Sequence, residues 1–270
     1  MKNIFITLIT LFLFNCNNQS ELKNNFNSIG LKGNVKSITE YSSPKSHRNW
    51  DHKDVEYYFD KNGFIEKKVE YKFSTYLISK YDSINNIKET NRYDENDSLV
   101  FKSKFKYENQ KLKKIEVFEV QGEVIHTVVY DYMKSSDENT LINEKEYGLK
   151  GNLVSHSSIL RNEKKEDLTW IEYNLLGEIK STSDMTYNDN GKVIKTIKRD
   201  SSNDIKWKWS KIYDSKNLEI ERKLYNPSLK KETIRISEYE FDKQGNWITK
   251  LLIQNNDTLK IISRKIDYNE

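Results

Sequence analysis

One pattern constrains the fold of this chain more than any other: an aromatic residue, an Asp or Asn, two free positions and a Gly, returning at intervals. The earlier copies are IGLKG (29–33), FDKNG (59–63), YDSIN (81–85), YDEND (93–97) and FEVQG (118–122). YGLKG (147–151), YNLLG (173–177), YNDNG (187–191), YDSKN (213–217) and FDKQG (241–245) follow, with some looseness at the first two positions. All nine glycines of the chain lie inside these ten copies. The three copies without a final Gly end in Asn85, Asp97 and Asn217.

The physical reading is a hairpin corner. Asp or Asn at the first turn position accepts hydrogen bonds from the backbone just beyond it, and the fourth position takes a left-handed conformation. Gly adopts that conformation without steric cost, and Asn and Asp tolerate it best among the other residues. A type I turn followed by a left-handed residue keeps the native twist of the two strands it joins.

Between corners the periodicity is two. In FKSKFKY (101–107), Phe101, Ser103, Phe105 and Tyr107 share one face, and Lys102, Lys104 and Lys106 share the other. IEKKVEYKF (65–73) places Ile65, Val69, Tyr71 and Phe73 together, and IKWKWSKIY (205–213) does the same for Ile205, Trp207, Trp209 and Tyr213. Such alternation predicts strands with one buried and one solvated face. The prolines, Pro44 and Pro227, fall in expected loops. No helical stripe is sustained beyond residue 17. Short polar segments NEKKE (162–166), SSND (201–204) and NND (255–257) are expected to turn the chain at the edge opposite the aromatic–Asp corners. The fold class is therefore all-β, an elongated antiparallel meander of about 16–18 strands. Flat, it would be on the order of 80 Å wide, so it should twist, coil, stack or partly close.

Charge excludes one partner class. The 45 basic and 41 acidic residues nearly cancel, and Lys and Glu alternate as neighbours. Nucleic-acid binding calls for clustered basic residues, so no nucleic-acid partner is expected. Seventeen Tyr in a chain with 12% aromatic residues also set it apart from a disordered segment.

The N-terminal residues differ from the rest. Lys2 precedes the apolar run IFITLITLFLF (4–14), whose eleven residues are too few for a bilayer-spanning helix of about 20. Cys16, the single cysteine, follows in LFNC (13–16). This segment resembles the lipobox of bacterial lipoproteins, with Leu13 matching it and Asn15 standing where a small residue is usual. The resemblance implies acylation of Cys16 and attachment to a membrane. An ordinary secretory signal with an incidental thiol is the alternative. The expected organisation is a signal segment (1–16), a flexible tether (17–28) and one β domain (29–270).

The repeated corners, and most of all the closing segment YEFDKQGNWITK…SRKIDY (239–268), resemble YD repeats of the Rhs and teneurin type, in the short form found in exported bacterial lipoproteins. That resemblance implies a strand-built shell, since large members of the family wind such repeats around cargo. Spacings of 26 residues, from Tyr147 to Tyr173 and from Tyr187 to Tyr213, fit a two-strand unit.

Little in the sequence points to bond-making chemistry. SHRNWDH (46–52) places His47, Asp51 and His52 together in an expected loop, but the spacing matches no firm metal template. His126 and His156 stand singly within expected strands. Glu144 with Glu146, and Glu238 with Glu240, are pairs that a solvated Glu/Lys strand face produces by alternation. Phosphate-loop, nucleophile-elbow and dinucleotide motifs are missing from the sequence. Trp207, Trp209 and Trp247 can serve as core or as a surface for stacking sugars or covering an apolar ligand. Trp50 and Trp170 are isolated.

The expectation is a non-enzymatic cell-envelope lipoprotein without cofactor or metal, anchored through Cys16. It would act as a binding or scaffolding module toward a protein or glycan partner. The alternatives are a carrier for a lipid or other apolar ligand in a half-closed sheet, and an envelope glycan hydrolase. An integral outer-membrane barrel is disfavoured by the Lys and Glu on the outward strand faces.

Overall fold

The computed structural model describes residues 30–44, 53–135 and 137–269. Cys16, the tether, His47, Trp50, Asp51 and His52 therefore lie outside the described residues. The strands are β1 (Val35–Pro44), β2 (Lys53–Phe59), β3 (Ile65–Glu70), β4 (Thr75–Tyr81), β5 (Ile87–Asp94) and β6 (Leu99–Glu108). Next come β7 (Lys111–Glu119), β8 (Val124–Lys134), β9 (Thr140–Tyr147), β10 (Leu153–Arg161), β11 (Asp167–Tyr173) and β12 (Ile179–Tyr187). The last six are β13 (Val193–Asp200), β14 (Ile205–Tyr213), β15 (Glu219–Asn226), β16 (Lys231–Phe241), β17 (Trp247–Gln254) and β18 (Asp257–Tyr268). The helices among the described residues are three single 3-10 turns, Tyr71–Phe73, Leu149–Gly151 and Pro227–Leu229.

Each strand pairs antiparallel with its sequence neighbours, and β1 pairs antiparallel with β18, so the meander closes on itself as an 18-stranded barrel. Closure removes both exposed edges of a sheet that would otherwise offer unpaired N–H and C=O groups along its outer strands. With strands about 4.8 Å apart the girth is on the order of 90 Å. Eight strands make a ring that side chains can just fill, so this one is too wide for uniform filling.

Eleven corners among the described residues share one backbone geometry. In the turn at Asp60, the Asp60 N–H donates to Phe64 O at 2.9 Å and Gly63 N–H to Asp60 O at 3.0 Å, while Asp60 Oδ1 accepts from Asn62 and Phe64, both at 2.9 Å. Gly245 closes its corner at φ +81°, and Asn85, Asp97 and Asn217 take φ of 64°, 60° and 61° in place of Gly, as expected. One expectation is corrected. NEKKE forms the same corner, with Lys165 left-handed, on the rim that also carries the corners at Asp60, Asp82, Asn188, Asp214 and Asp242. SSND forms it on the other rim, with Asn203 left-handed, beside the corners at Asp94, Glu119, Gly148 and Asn174. The marked and unmarked turns are thus mixed on both rims, because the backbone requirement is the same wherever an antiparallel pair reverses. IGLKG is also corrected: Gly30 to Gly33 make no hairpin but lead into β1.

Both ends of the described chain reach one rim, called here the terminal rim. Asn246, 2% exposed, ties them together. Its Oδ1 accepts from the Lys32 N–H at 2.7 Å, and its Nδ2 donates to Lys32 O at 2.8 Å and to Tyr268 Oη at 2.7 Å. Leu31, Val35, Ile38 and Phe59 bury themselves beside this seam, with Tyr57, Ile65, Ile266 and Tyr268 against them. A second apolar cluster on the inward faces of β7 to β10 joins Leu112, Ile115, Val128, Tyr130, Ile142 and Ile159, with Phe105, Tyr107, Tyr132 and Trp170 against it. Burying each of the isoleucines contributes roughly 1.5–3 kcal/mol.

Register fixes which face looks inward. Ile115 pairs with Val128 and Phe105, and these share the inward face with Ser103 and Tyr107, while Lys102, Lys104 and Lys106 point outward as the alternation predicts. The IEKKVEYKF segment departs from expectation: β3 ends at Glu70, and Tyr71 and Phe73 belong to the following 3-10 turn. Outward, Glu89 bridges Lys80 at 3.0 Å and Lys102 at 3.1 Å, and Glu116 bridges Lys106 at 2.8 Å and Lys114 at 2.6 Å.

Candidate functional site on the inward wall

The strands β11 to β18 carry a polar and aromatic inward wall on which the charged and aromatic side chains are mostly half-buried, with Ser181, Thr196 and Ser237 buried between them. Trp207 stands in register with Lys198, and Trp209 with Thr196 and Leu224. Lys198 reaches Glu172 at 2.9 Å, and Ser181 donates to the same carboxylate. Burial alone would raise the Glu172 pKa, but the Ser181 and Lys198 hydrogen bonds outweigh it and hold the carboxyl below the usual range. Lys211 lies 4.8 Å from the Trp209 ring centroid. These pairings make a wall that offers flat apolar rings beside charged groups.

Further round, Glu219 accepts from Arg222 Nε at 2.7 Å and Nη2 at 2.8 Å, and from Lys211 Nζ at 2.9 Å. Arg264 pairs with Glu40 at 2.7 Å and sits 3.5 Å above the Trp247 ring, which also meets Tyr239 edge-on at 6.0 Å. Trp247 is therefore held by an Arg and a Tyr; Trp207 and Trp209, half-buried to the same degree, have only Lys211 against the Trp209 ring among the ring contacts described. Trp170 packs on the apolar cluster.

The terminal rim gives the tyrosines that lead its corners at Asp82, Asn188 and Asp214 a common role, shared with three more tyrosines near that rim. Tyr107, Tyr132, Tyr187, Tyr213 and Tyr239 each point a hydroxyl to the carbonyl twenty residues earlier, at 2.9–3.0 Å, and Tyr81 makes the equivalent bond to Ile65 O at 2.8 Å. Each hydroxyl reaches across to the neighbouring strand and fastens its first or, for Tyr132, its second residue. At the corresponding place before NEKKE the chain has Arg161, which pairs with Asp167 instead.

Sequence reasoning misplaced one carboxylate pair. Glu144 and Glu146 were expected on a solvated face, but register with Tyr130 and Val128 turns both inward. Glu146 is buried, and desolvation together with the Glu144 charge raises its pKa to about 7. Its carboxylate lies 3.7 Å from His126 Nε2, whose imidazole burial holds below the usual histidine range. The alternation that revealed the two faces could not say that β9 carries charge on the inner one. Glu238 and Glu240 do face outward, and His156 stacks on Tyr173 at 4.5 Å on the outer surface. Among the described residues no group of His, Cys, Asp and Glu is placed to hold a metal ion.

The fold and this wall define a closed up-and-down β-barrel with a polar, partly solvent-reached interior. No family model matches the chain, and no curated protein matches it. Among solved structures it is similar to a porin-like protein from Bacteroides vulgatus ATCC 8482, at 11% identity and TM-score 0.40, over 87% of this chain and 98% of that one. A porin-like protein from Bacteroides uniformis ATCC 8492 is similar at 9% identity and TM-score 0.33, over 86% and 98%. A Photorhabdus luminescens Tc holotoxin pore is similar at 11% identity and TM-score 0.24, over 79% of this chain and 13% of that one. No function passes from them to this chain.

Proposed function

We propose that the chain is a non-enzymatic binding module of the cell envelope, tethered through Cys16, whose barrel receives a hydrophilic ligand on the inward wall of β13 to β15. The observation that carries this reading is the half-buried pair Trp207 and Trp209 on one inward strand face beside Lys198 and Lys211, an arrangement suited to stacking a sugar ring and bonding its polar groups. The tether and anchor rest on the apolar run 4–14 and Cys16. A YD-repeat origin is supported by the 26-residue spacing of the rim tyrosines from Tyr81 to Tyr107 and from Tyr187 through Tyr213 to Tyr239.

Rival readings meet physical obstacles. A lipid carrier would have to desolvate Glu172, Lys198, Glu219 and Arg222 on the same wall, a cost that an acyl chain does not offset. A glycan hydrolase using Glu146 would need a substrate to reach a side chain that is 5% exposed. A bilayer-spanning barrel would carry Lys102, Lys104 and Lys106 on its lipid face, at about 2–4 kcal/mol each near the midplane.

Titrating the Cys16→Ser chain with neutral and charged oligosaccharides while following tryptophan fluorescence tests the proposal. A saturable change that is lost in Trp207→Ala/Trp209→Ala supports it. No change with any oligosaccharide, in protein shown folded by circular dichroism, defeats it. Labelling cells with a clickable fatty acid tests the anchor, and equal labelling of wild type and Cys16→Ser rules it out.

A further inference from the structure

Lys211 pairs in register with Arg222, and Arg222 with Arg235, so three cations stand side by side on the inward faces of β14, β15 and β16. Directly opposed like charges on a sheet face destabilise it, and neighbouring positions of this kind have Cβ atoms only about 5 Å apart. Charge compensation is incomplete. Glu219 serves both Lys211 and Arg222. Arg235 is exposed, and its one side-chain partner among the described residues is the neutral Gln254 Oε1, at 3.0 Å.

Two more cations approach the row. Lys250, in register with Tyr239, lies 5.3 Å from that ring and makes no ion pair among the described residues. Burial holds its ammonium below the usual lysine range; the Glu219 charge opposes that shift, and Arg222, Lys211 and Arg264 reinforce it. Arg264 is paired with Glu40 but keeps one buried guanidinium nitrogen, Nη1, without a hydrogen-bond partner. Five cations therefore share two carboxylates, Glu219 and Glu40.

We propose that this wall binds the anionic groups of a multiply charged ligand, carboxylates or phosphate esters carried on a saccharide. The inference rests on the inward wall being a ligand site and names the charge of what it takes. Register sets Arg235 and Lys250 four residues apart along the sheet, about 13 Å, so separate anionic groups of one ligand would supply the counter-charge each lacks, and Arg235 offers the forked donor geometry that suits carboxylate and phosphate. Trp209, one strand away from Leu224 and close to Lys211, would face the sugar ring of the same ligand.

The experiment uses the full Cys16→Ser chain and three probes: trigalacturonate, tripolyphosphate and the neutral maltotriose. Calorimetry should show both anions binding, with affinity falling as salt rises, and both should raise the Tm. Arg235→Gln/Lys250→Gln should weaken both by tenfold or more, Arg235→Lys should retain most of the binding, and the outward-facing Lys208→Gln/Lys223→Gln should leave it unchanged. Circular dichroism confirms that each variant keeps its strands. Failure of both anions to bind, or equal binding by the Arg235→Gln/Lys250→Gln variant, overturns the inference. Should maltotriose alone bind and perturb the tryptophans, the anion site falls while the broader ligand-site reading stands.

Discussion

The hydroxyl of Tyr239 donates to the carbonyl of Glu219 at 2.9 Å, fastening the end of one strand over the start of its neighbour. Tyr213 does the same to Val193 O at 3.0 Å, 26 residues earlier in the chain. The bond is a repeated staple and makes no demand on any ligand. Tyr239→Phe removes the donor and keeps the ring, so it should lower stability by about 1 kcal/mol, the ordinary net worth of one such hydrogen bond. Urea unfolding measures it, and an unchanged midpoint would show the hydroxyl to be idle.

Gly245 sits at φ +81° in the Asp242 corner. Replacing it with Val places a β-branched side chain in the left-handed region, and a loss of more than about 1 kcal/mol is expected. Asn should be milder there, as it already occupies the equivalent places at 85 and 217. The added Cβ would lie 3.3 Å from Lys32 Nζ, the far end of a flexible chain, so backbone strain and not crowding should dominate. Equal thermal shifts for Val and Asn would contradict the turn geometry.

Asn246→Ala should open the seam. It removes three part-buried hydrogen bonds that join Lys32, Tyr268 and the Asp242 corner, each worth roughly 0.5–1.5 kcal/mol. Hydrogen exchange in β1 and β18 should accelerate more than in β7 to β10. A uniform acceleration around the ring would mean that the seam is not a separate unit of opening.

Glu146 gives a pH signature. Its carboxyl has a folded-state pKa raised to about 7 from an ordinary 4.5, so the folded state holds the proton more tightly. Between pH 4.5 and 7 that term lowers stability as pH rises, by at most about 3 kcal/mol at 1.36 kcal/mol per unit. His126, with its pKa lowered by burial, works the other way, because the unfolded chain takes up a proton there first as pH falls through 6.5. Glu146→Gln mimics the protonated carboxyl, so the difference in stability between variant and wild type should grow from pH 5 to pH 8. Parallel pH curves, measured by chemical denaturation, would remove Glu146 from the account.

Local chemistry made much of the fold legible. Phe101, Ser103, Phe105 and Tyr107 announce their common face through alternation, and Asn85, Asp97 and Asn217 announce left-handed corners through their tolerance of positive φ. The corners at Asn162 and Asp200 escaped notice as equivalents because Arg161 and Arg199 stand where the other hairpin corners are led by Tyr or Phe, and at the first of them Lys165 carries the left-handed position. Closure escaped for a different reason: the pairing of Ile38 with Ile266 joins residues at opposite ends of the chain, and no periodicity within a strand encodes it. The inward wall was partly legible. Trp207 and Trp209 were singled out, but Arg222, Arg235 and Lys250 look like ordinary solvated residues until register places them beside one another.

The pairing of β1 with β18 also has a consequence for how the molecule comes into being. Every other strand can zip onto the one made just before it, but β1 must wait for β18 to emerge before it finds its second neighbour. Until then the growing sheet has an open flank on each side, so folding must shelter a nearly complete but unsealed intermediate from joining with copies of itself.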